Sequence, residues 1–324
     1  MKRRHIFKIF GAAMALAAML ASPVIAQDWT PQRPINLIVP SSAGGGVDTY
    51  GRAVGSALQE KLGVPVVIVN KPGAGGLVGS AEVASARPDG HTMLIAASGA
   101  VLLGSMFKDA PIDIFDSFET VAQIGDLVFC IAVPADSPIM TATDLVEAAM
   151  ADPGALRWAH GSRGSATHVP VQSLLNLNGI SATDVPFQGG AKIRAAIIGE
   201  QVDFGVMGIQ QSFGFENELR VIGVFSDARY PLRPETLTFD EQGIETGNIG
   251  SPVTLYYPKG TPSDVVETIS AAMSEITAMP KFSEALASSG LTPKYRAGAA
   301  ADAALLQIKE KAQPVIDELK QAAN

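Results

Sequence analysis

The sequence predicts an α/β fold in two lobes, each a mainly parallel sheet flanked by helices. Three observations lead there. From residue 35 to residue 225, short apolar runs alternate with segments of helical period. Three junctions join a strand to a glycine loop and then to a helix, at residues 41–48, 161–168 and 187–190. Between residues 112 and 138 the rhythm gives way to irregular sequence and an apolar run, a crossover into a second lobe.

The chain opens on an export signal. Lys2, Arg3, Arg4 and Lys8 precede an apolar, alanine-rich stretch over residues 9–20, and Val24, Ile25 and Ala26 offer a cleavage site before Gln27. The stretch is too short to span a bilayer, so residues 1–26 read as a cleaved secretory peptide. No cysteine lies near the cut, which argues against a lipid anchor, and no later run is long and apolar enough for a membrane helix. The formal net charge of −8 becomes −12 once the four cations of the leader are lost. An acidic chain disfavours nucleic acid as a partner. The single cysteine, Cys130, excludes an internal disulfide and a cysteine metal cluster, and its apolar surroundings make it a small buried residue.

The first lobe begins with a core strand at residues 36–39, stopped by Pro40. Gly44, Gly45 and Gly46 then allow backbone angles that turn several N–H groups toward one point. Asp48 is expected to N-cap the following helix, in which Tyr50, Ala53, Val54, Ala57, Leu58 and Leu62 repeat at helical spacing. A second strand is expected at residues 65–69, then a GAGG loop, a helix at 77–86 and a third strand at 91–96. The glycines of that loop fail the dinucleotide spacing, since Val78 stands where a glycine is required.

In the second lobe a helix is expected to start at Thr143 or Asp144, and a strand at 156–159 leads into the second glycine loop. Pro170 sets the start of its helix near Thr167 or His168. The third junction runs from Val185 through Phe187, Gln188, Gly189 and Gly190 into a helix carrying Ile193, Ala196 and Ile197. Further strands fall at 202–206 and 220–225, and residues 262–324 read as packing helices. Helix N-termini at glycine loops offer unpaired amides and a positive dipole end, which favour a carboxylate or phosphate. Repetition of the device on both lobes predicts a ligand cleft between them.

The residues that carry these junctions resemble a known family. The segments are PINLIVP from Pro34, AGGGVD from Ala43, NKPGAGG from Asn70, PDG from Pro88, Gly164 and Ser165 with His168, VPFQGG from Val185, GEQVD from Gly199 and PKGTP from Pro258. In this order, over essentially the whole mature chain, they resemble the Bug-type extracytoplasmic solute receptors of tripartite tricarboxylate transporters. The resemblance implies a type II periplasmic-binding-protein fold, with residues 27–125 plus 251–324 as one lobe and 126–250 as the other. It implies a monomer that binds a small organic acid and delivers it to the membrane subunits of the transporter, without a cofactor. Its first ligand loop falls on Ser41, Ser42, Ala43, Gly44, Gly45 and Asp48. The second falls on Gly161, Ser162, Arg163, Ser165 and His168, and the third wall on Phe187, Gln188, Gly189 and Gly190. The chain departs from the family at Ser41 and Ser42, where a Phe-Pro pair is common, and at Arg163, where an uncharged residue is common. A more polar or roomier pocket is expected, and Arg163 is a candidate partner for a second carboxylate.

Rival chemistries lack their residues. The run His160-Gly161-Ser162-Arg163-Gly164 departs from a nucleophile elbow by carrying histidine for the first glycine. His91, His160 and His168 show no zinc-ligand spacing. A receptor that signals to a membrane kinase would share this fold and ligand, so the sequence does not separate it from transport.

Overall fold

In the computed structural model, which describes residues 29–187 and 189–323, the chain enters its first sheet through β1 (Ile35–Val39). The expected leader and Gln188 lie outside the described residues. Only Asn36 of β1 is exposed, as suits a strand covered on both faces. α1 (Gly46–Leu62) buries Val47, Tyr50, Val54 and Leu58 along one stripe. It stops where Gly63 takes a left-handed φ of 72° and its N–H closes on the Gln59 carbonyl. β2 (Val66–Asn70), α2 (Leu77–Ala84) and β3 (Thr92–Ala97) follow, close to the expected positions. α3 (Ser98–Lys108), α4 (Ile114–Ser117) and β4 (Phe118–Asp126) complete this part.

The chain then builds a second sheet. β5 (Phe129–Pro134), α5 (Ala142–Ala151), β6 (Arg157–His160), α6 (Val169–Leu177) and β7 (Thr183–Pro186) alternate as read from sequence. α7 (Gly190–Ile198), β8 (Phe204–Gly208) and β9 (Leu219–Phe225) close it. α5 begins earlier than expected because Thr141, not residue 143 or 144, makes a reciprocal capping box with Asp144. The return to the first sheet is through β10 (Pro252–Pro258), α8 (Ser263–Thr277), α9 (Pro280–Ala287), β11 (Pro293–Ala297) and α10 (Gly298–Ala323).

The first sheet has the order β11-β4-β10-β3-β1-β2 and the second β7-β6-β8-β5-β9. Both are mixed, which corrects the expectation of mainly parallel sheets. β1 pairs in parallel with β2 and β3, and β6 with β7 and β8. The remaining pairs are antiparallel. Parallel pairing needs a crossover helix, which the chain supplies only within each lobe's strand-helix-strand run. Strands at the passages between sheets meet their neighbours head-on.

The stretch expected to be irregular contains α4 and the interior strand β4. Thr120, Gln123 and Gly125 interrupt the apolar alternation there. Gly125 has a packing reason: a β-carbon on it would stand 2.3 Å from Tyr50 Cζ. Tyr50 Oη uses the space to donate to the Thr292 carbonyl at 2.7 Å.

One core cluster lies between the first sheet and α1 and α8, with Leu37, Val54, Met93, Leu255 and Ile269. Another joins both lobes, running from Leu94 and Leu102 to Trp158, Leu174 and Phe204, with Leu305, Ala312 and Ile316 of α10. α10 therefore straps the two lobes together. This arrangement sets the loops at the carboxyl ends of β1, β6, β7 and β8 around one crevice, where open α/β sheets hold ligands.

Candidate functional site between the lobes

A cleft of about 200 Å³ opens at that crevice. Gly46 and Leu127 form one side, and Gly161, Thr167, Gly190 and Gln210 are among the residues of the other. Among the described residues that line it, none carries a charged side chain. What it presents is the starts of helices.

The first loop brings α1 to the cleft. Gly45 occupies the N-cap position and makes no side-chain capping bond, so the first amides of the helix are not taken by a side chain. Asp48 is not the cap expected from sequence; it sits within the first turn and is buried. Its carboxylate accepts from the Gly44 N–H at 2.8 Å, Arg52 Nε at 2.9 Å and Asn70 Nδ2 at 2.9 Å. Burial acts to raise its pKa, but the bonds from Arg52, Gly44 and Asn70 outweigh it and hold the carboxyl below its usual range. Asp48 thus braces the loop as an anion at neutral pH. The Ser41 carbonyl accepts from Asn70 at 3.1 Å, while Ser41 Oγ is buried without a partner. Ser42, Ala43, Gly44 and Gly45 are exposed. Ala43 and Gly44 border a separate open depression with Thr49, Arg52 and Ser289. Of this segment it is Gly46, the last of the three glycines of the turn, that lines the cleft.

The second loop is held by its own hydrogen bonds. The Gly161 N–H donates to Thr167 Oγ1 at 2.9 Å, and Ser165 Oγ lies 3.0 Å from the same oxygen. The Ser165 carbonyl accepts from the His168 and Val169 amides. Gly161 and Thr167 reach the cleft, whereas Ser162 is exposed outside it. Arg163 is not a free cation for a second carboxylate: Nε and Nη2 grip both oxygens of Asp184 at 2.9 and 2.6 Å. Burial would raise the Asp184 pKa, but bonds from Arg163 and His160 bring it below the usual range.

His168 stands behind the loop rather than in the cleft. It is buried, stacks on Trp158 at 5.3 Å between ring centres and meets His160 edge-on at 4.4 Å. Burial, and then the nearby His160, lower its pKa to about 3, so the imidazole is neutral.

At the third loop the Phe187 N–H donates to the His160 carbonyl at 2.8 Å, and the half-buried ring packs against the second lobe's cluster around Ile193 and Met207. Gly189 takes a φ of 87° at the N-cap of α7, again with no side-chain capping bond. A β-carbon on Gly190 would stand 1.9 Å from Gln211 Oε1, so the end of that side chain would have to swing aside. Gly189 and Gly190 both line the cleft.

Sequence reading missed Leu127, Met207, Gln210 and Gln211, and it held Gly46 and Thr167 only as members of their loops without singling them out as ligand contacts. A signal existed for the two glutamines. Gly208 ends β8 and the glutamines follow it, making a fourth strand-glycine junction, but only a single turn at Ile209–Ser212 comes next instead of a helix. Gln210 Oε1 is buried with no hydrogen-bond partner.

The fold and cleft have counterparts. The model of the tripartite tricarboxylate transporter family receptor matches residues 51–320. A UPF0065 protein of Pseudomonas sp. strain P51 is 32% identical, over 89% of this chain and 86% of its own length. The solved structure of a TctC solute binding protein from Polaromonas superposes with a TM-score of 0.76 at 27% identity, covering 89% of this chain and 99% of its own. Periplasmic binding protein BugD superposes with a TM-score of 0.72 at 28% identity, covering 90% and 98%. With the glycine junctions in the family's order and a cleft between two α/β lobes, the chain belongs to the tripartite tricarboxylate transporter receptor family, the Bug-type solute receptors.

Proposed function

We propose that the protein captures a small organic carboxylate in the interlobe cleft and hands it to the membrane subunits of a tripartite tricarboxylate transporter. In this reading residues 1–26 direct export and are removed, with no lipid anchor, and the mature receptor works in the periplasm as a monomer. Among the described residues no helix is long and apolar enough to cross a membrane. The lobes comprise residues 27–125 plus 251–324, and 126–250.

The observation that carries the proposal is the meeting of the α1 and α7 N-termini, both without side-chain caps, at a cleft that no charged side chain lines among the described residues. Charge-assisted bonds to a carboxylate contribute about 1.5–3 kcal/mol each, and a partly buried helix terminus up to about 2 kcal/mol. The Gln210 carboxamide, with its unpartnered oxygen, supplies an acceptor for a hydroxyl or protonated carboxyl on the same ligand. The volume of about 200 Å³ suits a compact acid. It lies below the roughly 300–1,000 Å³ of drug-sized sites.

A thermal-shift screen of the chain against mono-, di- and tricarboxylates, with amides and sugars as controls, tests this. A ligand at a hundred times its dissociation constant adds about 2.7 kcal/mol of stability. Stabilisation by an acid, lost in Gly46→Leu, is the expected outcome. Stabilisation by uncharged compounds alone would overturn the anion reading.

A further inference from the structure

His168 is 1% exposed, yet Nδ1 has no hydrogen-bond partner. Nε2 stops 3.9 Å from Asp184 Oδ2, beyond hydrogen-bond range. Buried polar groups in folded proteins are satisfied by protein, by ordered water or by an ion, and of the two His168 ring nitrogens it is Nε2, on the Asp184 side, that an ion held among these side chains would bond. The same Asp184 oxygen lies 3.0 Å from Nε2 of His160, which is itself fully buried. One ligand atom from each of the three side chains falls within 4.8 Å of the others.

We infer that His160, His168 and Asp184 form a binding site for a divalent transition cation of the zinc class, set behind the second cleft loop. Zinc bonds of about 2.0–2.2 Å in tetrahedral geometry place ligand atoms roughly 3.3–3.5 Å apart. The two separations to Asp184, 3.0 and 3.9 Å, bracket that spacing, and all three ligand atoms lie within 4.8 Å of one another, so side-chain shifts of about an ångström close the site. Two imidazoles and one carboxylate suit zinc and its late first-row neighbours, whereas magnesium and calcium prefer oxygen alone. Three protein ligands leave a fourth position for water. Arg163 does not block the arrangement. Its Nη2 holds Asp184 Oδ1 at 2.6 Å and its Nε holds Oδ2 at 2.9 Å, which orients the carboxylate, and a carboxylate oxygen that accepts one such bond keeps a lone pair for an ion on the side of the histidines.

The ligands come from three elements that primary-sequence spacing does not connect. His160 ends β6 and His168 is the N-cap residue of α6, while Asp184 lies in β7, paired in register with Trp158. An ion there would pin both ends of the loop whose Gly161 and Thr167 line the cleft. The site stands independently of whether the cleft takes a carboxylate.

Titration of the metal-free protein with zinc chloride by calorimetry, and with cobalt chloride by visible absorption, tests the site. The expected result is one equivalent of zinc bound, intense visible bands for four-coordinate cobalt, and no binding of magnesium. Asp184→Asn and His168→Gln each weaken zinc by about a hundredfold or more, with circular dichroism confirming that they fold. Absence of zinc binding, which is what a buried water alone would give, overturns the site. So does binding that survives both substitutions, or a weak six-coordinate cobalt spectrum. If the variants do not fold, the cobalt spectrum of the unaltered protein decides between these outcomes.

Discussion

Gly46, the first residue of α1, faces the carboxamide of Gln210 across the cleft: a β-carbon built on it would lie 3.5 Å from Nε2 and 2.8 Å from Leu127 Cδ2. Its φ is not in the left-handed region, so a side chain there is refused by space and not by backbone strain. Gly46→Ala therefore acts on the cleft more than on the fold. Leu127 yields to a single methyl, whereas Gly46→Leu fills the cavity. Ligand affinity should fall about tenfold or more for alanine and be abolished for leucine, while the melting temperature without ligand changes little. Calorimetric titration with the best acid from the screen checks both values. An alanine variant with unchanged affinity would place the ligand elsewhere.

A second relationship clasps the lobes. The Tyr230 hydroxyl, anchored in the second lobe's core, donates to the Gly290 carbonyl of the first. Gly290 also lies against Gln210 and Phe213, where a β-carbon would come within 2.9 Å of each. Tyr230→Phe removes the donor and leaves a buried carbonyl unpaired, at a cost of about 1–3 kcal/mol. If the lobes open and close about the cleft and this bond forms only when they are closed, that cost appears as weaker ligand binding, by roughly 5- to 150-fold. Small-angle scattering of the unliganded protein should show a larger radius of gyration for the variant. A loss confined to thermal stability would make the contact structural only.

How much of this was legible in the sequence depended on the range of the interaction. The three glycine junctions are local signals, and each precedes a helix as read. Which residue of a junction faces the ligand is not local. Around the start of α1 successive residues point in different directions, so Ala43 and Gly44 border an outer depression while Gly46 meets the cleft. Arg163 and Asp184 stand 21 residues apart, on a loop and on the neighbouring strand, and nothing in their spacing announces the pair. β4 was obscured because the strands that pair with its two edges, β10 and β11, come from distant segments.

Asp48 makes the fold sensitive to acid. Its folded pKa lies below the ordinary 3.8 because the bonds from Arg52, Gly44 and Asn70 overcome burial. The contribution is therefore complete above that ordinary value and is lost as pH falls from about 3.8 toward the folded pKa. At neutral pH Asp48→Asn should lose about 1–3 kcal/mol, since Arg52 and the Gly44 amide give up a charged acceptor. The gap between the native protein and the variant should narrow as pH falls below 4. Urea unfolding at pH 7 and pH 3 measures it. A gap that widens on acidification would contradict the assignment of Asp48 as a stabilised anion.

Gly164 carries the last expectation, and it separates two ways a glycine can be required. Its φ of 71° lies in the left-handed region, and a β-carbon would stand 2.2 Å from Cγ of Phe107 on α3. The strain of the first condition alone costs about 1 kcal/mol. The second adds overpacking of about 1–3 kcal/mol, because the ring atom it meets is near the root of the side chain and does not swing clear cheaply. Gly164→Ala should therefore lose about 2–4 kcal/mol, summing the two. Pairing it with Phe107→Ala takes the ring out of the clash, leaving only Phe107 Cβ at 2.7 Å, and keeps the strain. The double variant should then be less destabilised than the two single losses added together, a coupling read from a four-member unfolding cycle. Strict additivity would mean that the loop and α3 do not press on one another, and that the second cleft wall is positioned by its own hydrogen bonds alone.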